Sequence, residues 1–67
     1  MSRDEIKNAY LKIFAKIDLC NQQEADGDKF AAIGSMKIVT DSVEYVTSQS
    51  DPQTLQQVYD LAEKEYY

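Results

Sequence analysis

The chain has no histidine, no tryptophan, one cysteine and one proline in 67 residues, and each scarcity removes a class of chemistry. Without an imidazole there is no side chain whose ordinary pKa lies near neutrality. There is also no nitrogen ligand for zinc, and neither a Ser/His nor a Cys/His nucleophile pair. The single thiol, Cys20, cannot close a disulfide within its own chain, so the usual staple of small secreted domains is missing. The start, Met1-Ser2-Arg3-Asp4-Glu5, is polar and charged, unlike the basic-then-apolar opening of a secretory signal. These features predict residence in reducing cytoplasm. No apolar run approaches the roughly 20 residues of a membrane span, and the one through Ala31-Ala32-Ile33 is broken at Gly34, so no membrane is expected.

Glycine is equally sparse, at two residues, and no phosphate-binding loop, dinucleotide fingerprint or paired-cysteine motif can be drawn through the chain. The acidic turn Glu24-Ala25-Asp26-Gly27-Asp28 fails as a calcium loop. With Gly27 at the sixth position, Gln22 falls at the first ligand position and Ile33 at the twelfth, where a bidentate glutamate is needed. The carboxylate pairs Asp41/Glu44 and Asp60/Glu63 lack a ligating histidine and read as solvent-facing charges. Cys20 falls on an apolar stripe and reads as structural. The expectation is a protein with no cofactor, no metal and no enzymatic activity.

What is present is acidic. Twelve carboxylates against seven cations give a net charge of −5, a field that repels phosphate backbones and anionic lipid and steers toward basic partners. The first 20 residues nevertheless carry Arg3, Lys7, Lys12 and Lys16 against Asp4, Glu5 and Asp18, while everything after Asn21 is acidic. These cations scatter around a helix instead of forming a ridge, so direct nucleic-acid binding is not expected.

The apolar pattern has a helical period throughout. Ser2 and Glu5 form a capping box, and Ile6, Tyr10, Ile13, Ile17 and Cys20 follow at alternating spacings of four and three, with Ala9 and Phe14 widening the stripe. This predicts a first helix over about 3–24. Gly27 and Asp28 supply the chemistry of a helix stop and a new cap. Ala32, Met36, Val39, Val43 and Val46 then repeat the spacing and predict a second helix over 29–48. The β-branched residues from Ile38 to Thr47 favour a strand, but they lack strict alternation and an internal turn. Asp51-Pro52 marks a third helix, 52–66, with Leu55, Val58, Tyr59, Ala62 and Tyr66 inward. One all-α domain follows over residues 1–67, a three-helix up-down-up bundle crossing at about +20°.

A second stripe on the second helix, Phe30, Gly34, Ile38 and Tyr45, is surplus to that core. Leu11 and Leu19 lie off the main stripe of the first helix and form a candidate second contact. One accounting puts the second helix in the middle of the bundle, with both its faces buried. The other leaves its second stripe as a contact for another chain, with Gly34 allowing close approach. A domain this small has little core, which makes association a natural source of stability. The sequence therefore predicts a non-enzymatic protein interaction module, a regulatory, inhibitory or adaptor protein of the kind mobile elements such as phages carry. Its partner-binding residues are Phe30, Gly34, Ile38, Tyr45, Leu11 and Leu19, and it is expected to form a homodimer through the second helix. The alternative is an acidic decoy that presents carboxylates in place of phosphates to a nucleic-acid-binding protein.

Overall fold

A computed structural model describes every residue from Met1 to Tyr67 as three helices, α1 (Arg3–Ala25), α2 (Lys29–Thr47) and α3 (Pro52–Tyr66), with no strand. The helix ends follow the local chemistry. At α1 the Glu5 amide donates to Ser2 Oγ and the Ser2 amide to Glu5 Oε1, closing the capping box. Gly27, at φ +83°, takes the left-handed turn after α1, and Asp28 then accepts the Ala31 amide to open α2. Asp51 accepts the Thr54 amide at 3.0 Å ahead of Pro52. First and second helices each end one residue from the expected position. Their short connections reverse the chain direction from each helix to the next.

The β-branched run is helical. Thr40 and Thr47 donate their hydroxyls back to the carbonyls of Met36 (3.0 Å) and Val43 (2.8 Å), so they make no demand for sheet partners. Val39 and Val46 are buried on one face, and tertiary packing overrides their strand propensity.

The architecture is up-down-up, but the helix in the middle is α1. It packs against both other helices, whereas α2 and α3 barely touch. Cys20 meets Ala32 near the turn, while Ala9, Lys12 and Ile13, earlier on α1, lie beside Val39, Ser42, Tyr45 and Val46, later on α2, so α2 runs antiparallel to α1; Arg3/Gln57 and Asp18/Tyr66 show α3 running parallel to it. The arrangement with α2 between its neighbours is therefore overturned. The physical reason is the breadth of α1's apolar face. Ile13 and Cys20 meet α2, and Tyr10 and Phe14 turn toward Tyr59 of α3. Phe14, expected at the margin, is 4% exposed and lies 5.4 Å from the ring of Tyr59 and 5.7 Å from those of Tyr66 and Tyr67.

The α2 seam also departs from expectation. Met36 and Val43 are exposed, and the buried face is Ala32, Ser35, Val39 and Val46 with Ser42 half-buried, a rotation of roughly 40° at 100° per residue. Small residues on this face let the α2 backbone approach α1 closely. The Ser35 hydroxyl is buried at no cost in pairing, because it donates to Gln23 Oε1 at 2.7 Å. Cys20, likewise small, is buried and donates its thiol to the Ala32 carbonyl at 3.3 Å.

The resulting core is thin. Ile6, Tyr10, Ile13, Phe14, Val39, Val46, Leu55, Val58 and Ala62 form its one cluster. The radius of gyration is 12.7 Å, against about 11 Å for a compact domain of this length. The shortest dimension, 15 Å, is that of two helices laid together. The accessible surface, 4686 Å², exceeds the roughly 4300 Å² of a folded monomer of this mass.

Two caps make this fold sensitive to acid. The hydrogen bonds from Thr54 hold the Asp51 carboxyl below its ordinary value, and those from Ser2 do the same for Glu5. A carboxyl whose folded pKa is depressed adds stability above its unfolded pKa and loses it as pH falls through the folded value. The urea midpoint is therefore expected to drop as pH is lowered below about 4. Asp51→Asn, which keeps an N-cap oxygen, should make the drop smaller, and an unchanged pH profile in that variant would count against the assignment.

Candidate interaction surface

The residues of the surplus stripe lie on one exposed face of α2. Phe30 is 90% exposed, Ile38 51% and Tyr45 59%. Gly34 lies among them, also exposed. A Cβ built on Gly34 meets no atom within 4 Å, so nothing inside the protomer requires glycine there. An interior helical glycine costs about 1 kcal/mol relative to alanine, and the protomer offers no packing return for it.

The two leucines of α1 behave differently. Leu19 is exposed, while Leu11 is half-buried and packs against the core cluster. Leu11 thus helps to close the core, and Leu19 alone of the two is exposed.

The structure adds features that the sequence pattern did not single out. Ile33 and Met36 are exposed beyond the stripe, as are Leu61 and Tyr67 on the α3 side. Beside the stripe runs an open groove between α1 and α2, with Ala9, Ile13 and Val46 at its base. Lys12 and Lys16 line it from α1, and Ile38 and Tyr45 from α2. Neither lysine makes an ion pair, the one such pair in the chain being Lys7 with Glu65 at 3.0 Å. A signal for the groove existed in the sequence. Lys12 and Lys16 stand one turn apart on one flank of helix 1. Their meaning depended on which side α2 would take.

Asp41 and Glu44 are exposed along the outer side of α2, as are Asp60 and Glu63 on α3. No three Cys, Asp or Glu side chains come together as a metal-binding group, and no helix is long and apolar enough to cross a membrane. What remains is a rigid helix showing aromatic and aliphatic side chains to solvent, the residue types that dominate binding energy when a partner covers them. Set against family models, curated proteins and solved structures, the chain matches none.

Proposed function

We propose that the protein is a non-enzymatic interaction module, a small regulatory, inhibitory or adaptor protein that presents the Phe30/Ile38/Tyr45 stripe of α2 to another polypeptide, first of all to a second copy of itself. The observation that carries this reading is the exposure of two aromatic rings and an isoleucine along a single helix face. At 150–250 Å² per aromatic side chain, Phe30 and Tyr45 alone leave on the order of 300 Å² uncovered, as much as the largest apolar patch of many monomers. The thin core gives association a thermodynamic role as well, since each apolar square ångström covered contributes about 25 cal/mol.

Sedimentation equilibrium of the full chain over a wide concentration range tests the proposal, with Tyr45→Asp as the comparison. The natural chain is expected to pass from monomer to dimer, and the variant to stay monomeric with its helical circular dichroism intact. A natural chain that stays monomeric throughout rejects the homodimer and assigns the stripe to a different protein. A dimer that Tyr45→Asp leaves untouched places the interface elsewhere and sinks the reading. The salt response separates the acidic-decoy alternative, because binding through carboxylates collapses as ionic strength rises and an apolar interface does not.

A further inference from the structure

We infer that the groove between α1 and α2 is a docking site for an acidic amphipathic helix of another polypeptide, whose apolar ridge lies on Ala9, Ile13 and Val46 and whose carboxylates pair with Lys12 and Lys16. The inference rests on the interaction reading above and adds a partner of stated chemistry. It does not need a dimer, because the groove's base and both lysines lie outside the α2 stripe. The charge of the groove is one-sided. Two cations line it from α1, Ile38, Ser42 and Tyr45 face them from α2, and no carboxylate borders it in a chain that carries twelve. The lysines also stand one turn apart on a single helix, a like-charge spacing that destabilises it, and no residue three or four positions from either one is acidic. Their repulsion is not offset within the protomer. The chain's other one-turn pair of cations, Arg3 and Lys7, is relieved by Glu65, which meets Lys7 at 3.0 Å. An anion from outside is what the Lys12/Lys16 pair lacks.

Shape selects a helix among acidic ligands. Four residues of α1 separate the lysines by about 6 Å along the axis, and carboxylates at i and i+4 of a facing helix repeat that spacing, so one register satisfies both. Along α2 the groove runs from Ile38 to Val46, about 12 Å or two turns, the length over which the i, i+3, i+4 and i+7 anchors of an amphipathic helix engage. Ala9 on one helix and Ser42 on the other are small, which admits a third backbone. The space holds about 250 Å³ and is open along its length, whereas pockets that enclose a small molecule hold about 300–1,000 Å³. The net charge of −5 opposes an acidic partner only at long range. At physiological salt that field is screened beyond about 8 Å, and the contact itself is governed by the two ammonium groups.

Selection of a helix-forming random peptide library on the full chain tests the site, with fluorescence anisotropy of the recovered peptides as the readout. They are expected to carry two carboxylates at i and i+4 beside an apolar ridge. The double variant Lys12→Glu/Lys16→Glu should keep its helical circular dichroism and bind them at least about tenfold more weakly, two ion pairs having become repulsions. Exchanging the two carboxylates of a peptide for lysines should recover its binding to the double variant, a rescue that a merely structural role for Lys12 and Lys16 would not give. Recovered peptides without that acidic pair, binding that the double variant leaves unchanged, or no recovered peptide at all overturns the proposal. Dodecanoate serves as a second probe. If it binds with the same dependence on the lysines and the peptides do not, the groove takes a single-chain anion and the helix is excluded. The double variant leaves Phe30, Ile38 and Tyr45 in place, so the two readings fail separately. A failed selection beside a dimer that Tyr45→Asp abolishes removes the groove site and leaves the interaction reading standing, whereas a chain that neither dimerises nor recovers a peptide loses both.

Discussion

Phe14→Ala is expected to abolish cooperative folding at 25 °C, with a loss of about 3–5 kcal/mol for truncating a buried aromatic side chain. The site allows little recovery. Phe14 is 4% exposed and is ringed by Tyr59, Tyr66 and Tyr67 on the α3 side and Tyr10 on its own helix. Because α3 barely touches α2, it is held by α1 alone, and this aromatic cluster supplies a large part of that contact beside Leu55, Val58 and Ala62. A domain of 67 residues has a total stability of about 3–10 kcal/mol at the usual range per residue, so the loss is at least about a third of it and, toward the lower end that a thin core implies, all of it. Urea titration by circular dichroism should show a broad, sloping transition in the variant. Amide exchange should show α3 losing protection ahead of α1 and α2. A cooperative transition with a midpoint near that of the natural chain would show that α3 is held by contacts other than these.

The aromatic cluster also shows where a one-dimensional pattern stops being informative. The turns were legible because their chemistry is local: Ser2 with Glu5, Gly27 with Asp28, and Asp51 with Pro52 each settle a helix end within three or four residues. The period of each helix was legible for the same reason, being a property of residues that are neighbours along the chain. Which helix sits in the middle is not local. It depends on the total apolar width of α1 against that of α2, and the bulk of Phe14 gave α1 a second broad face that spacing alone did not weigh. The rotation of α2 was hidden by a similar circumstance. Ser35 and Ser42 look like a polar flank until Gln23, twelve residues before Ser35, supplies a hydrogen-bond acceptor. The exposed stripe was visible in the sequence as apolar residues in excess, but the groove with Lys12 and Lys16 beside it exists only once α1 and α2 are laid together.

That rotation makes a prediction that sequence spacing alone would reverse. Ser35→Leu should destabilise the protein by about 2–4 kcal/mol, combining about 1–3 for overpacking a closely approached interface with about 1 for the lost hydrogen bond. Ser35 is 7% exposed, and its hydroxyl lies 2.7 Å from Gln23 Oε1. A leucine there must either push α2 away from α1 or bend out of its rotamer, and it leaves the half-buried Gln23 without its donor. Met36→Ala, one residue along, should cost less than about 1 kcal/mol, because Met36 is 48% exposed and has little burial to lose. Urea midpoints measured for both variants at a dilution where the chain is monomeric separate the two seams. With Met36 in the core the order would invert, Met36→Ala costing about 2–5 kcal/mol and Ser35→Leu close to nothing. The small side chains of α2 would then have to be explained as a solvent-facing flank, and the close approach of α1 and α2 would lose its cause.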